Sequence, residues 1–266
     1  MNLIKYIILG LIQGVTEPLP IYSSGHLLIF RELFNTNMFN DLNFEVIVNF
    51  GSFLAILIIF WKDIVKLITG FFKYLGGKKE FVKEWKYCWL IVLGSIPVGV
   101  VGFLFKDKIE SIASVKEVGI ALIITAIALF LVKNTNGKKE DKDLTWKDAL
   151  IIGLFQMVAL LPGLSRSGMV LVGCLLCKLS REASLKYTFM LYFPVSVASF
   201  GLSAIDVVKE GIDSSLLISY FLGLVAAFVA TYFTYKWLSD IVKKGKLWKF
   251  SIYCIIVAIL VLIYFR

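Results

Sequence analysis

Apolar residues come in blocks along this chain, parted by short polar stretches rich in lysine. Six blocks, at roughly 44–61, 87–105, 117–133, 184–205, 214–236 and 248–265, approach the about 20 residues that a helix needs to cross a bilayer core. Two other regions break the pattern. Residues 3–16 and 25–35 are each too short to span, and EPLPIYSSGH parts them. Residues 147–160 and 166–178 are also short, and LLPGLSRSG parts those. Prolines and glycines in both interruptions forbid one continuous helix. Each pair therefore reads as a re-entrant hairpin that enters and leaves on one side. Irregular backbone at membrane depth is tolerated only inside protein or beside a water-filled cavity, so both interruptions predict a cavity.

The two hairpins match each other without a gap when the chain is shifted by 143 positions. Ile8, Gly10, Leu11, Gln13 and Val15 meet Ile151, Gly153, Leu154, Gln156 and Val158. Ser24, Gly25, Leu28 and Leu33 meet Ser167, Gly168, Leu171 and Leu176. Three spans follow each hairpin. The expected fold is an all-α polytopic membrane protein of two inverted-topology repeats, each one re-entrant helical hairpin plus three transmembrane helices. The whole chain, 1–266, is then one membrane domain, with repeat one at about 1–133 and repeat two at about 144–266.

Composition agrees with a membrane protein. The chain is 59% hydrophobic with a mean hydropathy of +0.83, above the roughly 45–50% apolar content of soluble domains. The net charge of +9 does not indicate nucleic acid, because the cations sit in short runs between apolar blocks. Three spans is an odd number, so the second repeat must be inserted upside down, and the charges test this. With 62–86 cytoplasmic, the regions around 133–149, 178–186 and 236–249 are cytoplasmic too. They hold seven, five, three and five Lys/Arg. The opposite side has seven: Lys5, Arg31, Lys106, Lys108, Lys116, Lys209 and Arg266. The asymmetry fits the positive-inside rule, and it predicts a multi-pass plasma-membrane protein with both termini on the outer side. The first apolar run leads directly into EPLPIYSSGH without a small-residue cleavage site, so it is expected to be retained. Cys88, Cys174, Cys177 and Cys254 lie in apolar helical sequence and read as buried free thiols rather than a zinc site.

The candidate chemistry lies at the two tips. Gln13 and Glu17 are spaced i, i+4 on one helix face and could hold a hard cation, Mg²⁺ or Ca²⁺. Ser-Ser-Gly and Ser-Arg-Ser-Gly each precede a helix-like run, whose first N–H groups favour a phosphate. Arg166 adds a planar fork for phosphate oxygens. Against this stand blander readings: Glu17 and Arg166 as a neutralising pair, the serines as helix caps, and His26 as an ordinary polar residue on a helix face.

QGVTEPLPIYSSGH resembles the (E/Q)xxxE-containing signature of the bacitracin-resistance family of undecaprenyl-diphosphate phosphatases, and PGLSRSG resembles that family's second signature. FEVIVNFGSFLAILIIFW is similar to the segment between them. The resemblance implies an integral membrane enzyme that removes the terminal phosphate of a polyprenyl diphosphate and so recycles the lipid carrier of cell-wall synthesis. It implies interlocked inverted repeats and a site open to the outer face. Carried over by position, Glu17, Ser23, His26 and Arg166 are the expected catalytic residues. Tyr22, Ser24, Gly25, Ser165, Ser167 and Gly168 are the expected substrate contacts, and Gln13 with Glu17 the expected cation ligands. Pro18, Tyr22 and Asn49 depart from the family pattern, which usually has an aromatic residue, a small hydroxyl and Gln at these places. Tyr22 would crowd the diphosphate pocket or supply its own phenol to it.

Type 2 phosphatidic acid phosphatases also carry Ser-Gly-His, but their chemistry needs two histidines and this chain has one. A transporter or flippase for a polyprenyl phosphate or another anion is the alternative, since inverted repeats fit that class equally well. The expected partners are the polyprenyl diphosphate and the bilayer, without nucleic acid; a homodimer stays open.

Overall fold

The computed structural model describes residues 2–34, 42–111, 114–210 and 214–265. Met1 and Arg266, which bound the single-domain expectation, and Asn35, the expected end of the first hairpin, lie outside the described residues. So do the side chains of Arg31, Lys106 and Lys209.

The described residues are helical, without a β-strand among them. In chain order they form α1 (Asn2–Thr16), α2 (Ser23–Phe34), α3 (Leu42–Ile59), α4 (Trp61–Leu75), α5 (Val82–Ser111) and α6 (Val115–Leu131). Then follow α7 (Trp146–Val158), α8 (Arg166–Leu176), α9 (Arg181–Glu210), α10 (Leu217–Lys243) and α11 (Trp248–Tyr264). Local chemistry sets several boundaries. Thr145 and Asp148 close α7 with a reciprocal box, in which the Asp148 N–H donates to Thr145 Oγ1 at 3.2 Å and the Thr145 N–H to Asp148 Oδ2 at 3.0 Å. Such a box satisfies two N–H groups that the helix leaves unpaired. Ser165 caps α8 by accepting from the Gly168 N–H at 3.1 Å.

The interruptions at 17–22 and 159–165 part short helices, α1 from α2 and α7 from α8. By length and composition, Lys79–Phe105 and Leu217–Lys243 are apolar enough to cross a membrane. Leu42–Ile59 does not continue into a loop, as its lysine-rich sequel predicted. Residues 61–75 form a further helix, α4, bent 72° from α3 at Phe60.

The packing has a recurring arrangement. α1 lies against α10 and α3, whereas α7 lies against α5, and α6 pairs with α11. At the first contact Gly10 meets the backbone of Gly223, where a Cβ would strike the Gly223 carbonyl oxygen. At the second, a Cβ on Gly153 would stand 2.5 Å from the Gly94 carbonyl oxygen. Glycine lets two backbones approach closely at both places. Leu19, Ile21, Leu122, Leu175 and Tyr187 belong to the main buried cluster, so the first tip is inside the protein. Outward faces are apolar, with Phe103, Leu131 and Phe233 mostly exposed. A soluble surface would not keep such a belt; hydrocarbon covers it. Cys174, Cys177 and Cys254 are buried free thiols and Cys88 is half-buried and free.

Candidate functional site

Glu17 sits one residue past α1 and anchors a cluster of polar side chains. Its Oε2 accepts from Gln13 Nε2 at 2.9 Å and from Ser23 Oγ at 2.5 Å. Its Oε1 faces Arg166 Nη2 at 3.3 Å. The Glu17 side chain keeps only 10% of its surface exposed, and Arg166 is more open, at 36%. Three sequence-expected residues thus meet at the carboxylate of a fourth, Glu17: Gln13 from α1, Ser23 from the start of α2, and Arg166 from the start of α8.

The two tips hold each other in place. Ser167 Oγ donates to the Leu19 carbonyl at 3.0 Å. A Cβ on Gly168 would stand 3.1 Å from Pro20, so bare backbone lets the tips close. The phenol of Tyr22 lies against the backbone of Gly163. Tyr22 has φ +66°, a left-handed conformation that a bulky residue seldom adopts. That turn redirects the chain so that Ser23 faces Glu17.

His26 is not brought to Glu17. Its Nδ1 pairs with the Tyr22 carbonyl and its Nε2 with the Tyr253 hydroxyl, each at 2.8 Å. The carbonyl only accepts, so Nδ1 carries the proton and Nε2 accepts from Tyr253. The imidazole thereby holds the strained Tyr22 turn. Ser165 is buried and spent on capping α8; its N–H reaches Thr125 Oγ1 at 3.4 Å and its Oγ lies 3.3 Å from Ser167 Oγ. Ser24 and Gly25 follow Ser23 in the first turn of α2, and the ring of Tyr22 covers Gly25.

Three participants escaped the sequence reading or entered it only as oddities. Asn49 of α3 takes a hydrogen bond from Gln13 Nε2 through its Oδ1. Tyr192 of α9 carries the Arg166 guanidinium over its ring, 5.0 Å from the centroid, and its phenol interacts with Glu17 and Ser196. Tyr253 of α11 orients His26. A lone amide in an apolar span was a usable signal for Asn49. Nothing distinguished Tyr192 from the aromatic residues around it.

Among the described residues no three His, Cys, Asp or Glu side chains cluster for a metal, so the site offers one carboxylate. Gln13 Oε1 is buried without a partner. Turning that amide end for end would bring Gln13 Oε1, Asn49 Oδ1 and Glu17 Oε2 around one point. One carboxylate with neutral oxygens suits an ion that takes its remaining ligands from substrate phosphates. The residues fit a cation of that kind.

A family model described as "Bacitracin resistance protein BacA" matches residues 6–260. A protein of Oceanobacillus iheyensis named "Undecaprenyl-diphosphatase" is 43% identical over 267 residues, covering 99% of this chain and 97% of its own. "Undecaprenyl-diphosphatase 2" of Bacillus thuringiensis is 42% identical over 264 residues, covering 98% and 97%. "Undecaprenyl-diphosphatase 1" of Bacillus licheniformis is 40% identical over 265 residues, covering 98% of each.

Proposed function

The chain belongs to the BacA family of bacitracin-resistance proteins, and on that premise we propose that it hydrolyses undecaprenyl diphosphate to the monophosphate and inorganic phosphate within the membrane. The observation that carries the reading is the hydrogen-bonded line from Ser23 through Glu17 to Arg166, which joins the two tips. A serine hydroxyl is a weak nucleophile until a base takes its proton. Glu17 already accepts that proton's hydrogen bond.

In the reaction, the bond from Ser23 Oγ to the terminal phosphorus forms as its proton passes to Glu17. The bond from that phosphorus to the bridging oxygen breaks, and the polyprenyl monophosphate leaves with the electron pair and takes the proton from Glu17, which restores the carboxylate. Water then cleaves the seryl phosphate, with Glu17 as base, and inorganic phosphate is released. Arg166 turns from Glu17 to the phosphate oxygens, where charge develops in the transition state. The open N–H groups at the start of α2 face the same phosphate. Gln13, Asn49 and Glu17 would hold a divalent cation, which when bound would neutralise part of the diphosphate charge. Tyr192 holds the guanidinium over its ring beside Glu17, and His26 and Tyr253 keep Ser23 in line. A flippase would need the cation and the hydroxyls, but not a serine hydrogen-bonded to a carboxylate.

Release of inorganic phosphate from undecaprenyl diphosphate in detergent micelles tests the reading. Glu17→Gln keeps shape and removes charge; it should lower turnover by about 10³-fold, and Ser23→Ala should match it. His26→Ala should stay measurable. Full activity in Glu17→Gln would defeat the mechanism, and dead His26→Ala beside active Ser23→Ala would make the imidazole the nucleophile.

The inverted repeat belongs to the same proposal. It is supported by one shift of 143 positions that relates Gly10 to Gly153, each seated on a glycine backbone of another helix, Gly10 on Gly223 of α10 and Gly153 on Gly94 of α5. The cation asymmetry supports outward termini and an outward site. A cysteine at position 78, exposed just past α4, should then react with an impermeant reagent only after permeabilisation; labelling in intact cells would reverse the orientation.

A further inference from the structure

Helix α4 has three different edges. One edge packs on the protein: Gly70 is buried, and a Cβ there would stand 2.7 Å from the Glu84 side chain. On that side Asp63 Oδ1 also accepts from Lys186 Nζ at 2.9 Å. A second edge carries Trp61, Val65, Ile68, Phe72 and Leu75, at the i, i+4, i+7 spacing of a helical stripe. All five are exposed, Phe72 by 65%, and no described part of the chain covers them. The third edge carries Lys62, Lys66 and Lys73, which at about 100° per residue lie between the other two.

The segment 61–86 holds seven lysines against Asp63, Glu80 and Glu84. Only a weak, exposed pair at 3.7 Å joins Lys66 to Glu84. Lys73 lies over the Phe81 ring and Lys79 over the Tyr74 ring, each at 5.0 Å. Trp85 and Trp89, beside Tyr74 and Phe71, extend the aromatic band onto α5. The 72° bend from α3 turns α4 away from the direction of the preceding helix.

We propose that α4 lies in the membrane interface as a docking surface for anionic phospholipid headgroups, its apolar edge in the acyl boundary and its lysine edge against the phosphates. The apolar edge requires a hydrocarbon partner, and the adjoining lysines require a negative one. An anionic phospholipid supplies both within one molecule. A neutral acyl surface would leave the lysine edge without a counter-charge. A basic helix with a wide apolar stripe and aromatic residues at headgroup level has the physical form of an interfacial anchor. This inference is independent of the proposed reaction. Its structural consequence is to fix the end of α3, the helix that brings Asn49 to Gln13.

The test uses the whole protein in nanodiscs of phosphatidylcholine. Increasing fractions of acyl-brominated phosphatidylglycerol, or of acyl-brominated phosphatidylcholine, are added as quenchers. The fluorescence of Trp61 is taken as the difference between wild type and Trp61→Phe. Each lysine near a surface is worth about fivefold in lipid preference. The three lysines together set a ceiling of about a hundredfold, and half-quenching should need at least about tenfold less phosphatidylglycerol than phosphatidylcholine. The combined Lys62→Gln, Lys66→Gln and Lys73→Gln variant should bring the ratio to about one. In the wild type, salt near 1 M should lower it as well, a measurement that needs no variant to fold. Equal quenching by the two lipids would overturn the proposal. So would a preference that survives both treatments, or Trp61 emission untouched by either lipid.

Discussion

In the first hairpin, Gln13 is fully buried and its amide nitrogen serves both Glu17 and Asn49. In the second, Gln156 is as deeply buried, yet neither its nitrogen nor its oxygen has a partner among the described residues. The same register places Leu160 where the first hairpin has Glu17, Arg166 where it has Ser23, and Met169 where it has His26. Both hairpins keep the turn, the Ser-Gly that follows it and the glycine seat on a neighbouring helix. They divide the chemistry: acid and hydroxyls at one tip, the cation at the other. A tip with both signs of charge would neutralise itself. Two tips of different character make one site only where they meet, so the geometry of the meeting matters as much as the residues.

The strongest way to break that comparison is to leave the charges and spoil the geometry. Arg166→Lys keeps a cation at the second tip but replaces a flat fork by a point ammonium. Loss of one transition-state contact costs on the order of 10²–10³ in rate, and this variant should lose that much kcat for phosphate release. Near-normal turnover would mean that Arg166 only balances Glu17. Tyr192 sharpens the point without touching any charge. Tyr192→Leu removes the ring beneath the guanidinium and should raise KM about tenfold, whereas Tyr192→Phe keeps the ring and the stacking and should restore most of that KM. Equal damage from both would assign the effect to the phenol and its contact with Glu17 instead.

The parts legible in the sequence were those whose signal is local. Pro18, Pro20 and Pro162 with Gly163 punctuate the hairpins, and the interruptions at 17–22 and 159–165 stand where the apolar periodicity fails. Glu17, Ser23 and Arg166 were legible because polar groups amid apolar sequence are costly unless used. The lysines of 62–86 hid α4. Charge counting treated the segment as a loop, although Trp61, Val65, Ile68, Phe72 and Leu75 already had helical spacing. Tyr192 and Tyr253 were illegible for a different reason. Their importance comes from helices α9 and α11 packing against the tips, and contacts between separate helices, Arg166 with Tyr192 and His26 with Tyr253, leave no trace in local pattern. Ser165 carried a sound but ambiguous signal, since capping a helix and touching a phosphate ask for the same hydroxyl.

The smallest effect concerns the unpartnered amide. If the two glutamines occupy equivalent places in different surroundings, the same substitution should act oppositely. Gln13→Leu removes a donor from both Glu17 and Asn49, which costs activity, about tenfold in kcat/KM. Gln156→Leu removes a buried polar group that has no partner to lose. Burying an unpaired amide costs about 1–3 kcal/mol by protein mutational measures, and an apolar replacement of similar size escapes much of that. For a chain of this size the gain should appear as a rise of roughly 2–4 °C in Tm. Thermal denaturation in detergent, followed on the purified whole protein, reads the second half of the contrast, and phosphate release reads the first. A lowered Tm in Gln156→Leu would show that the amide is engaged in the folded membrane protein. The two hairpins would then share a working glutamine, and the division of chemistry between them would lie in Glu17, Ser23 and Arg166 alone.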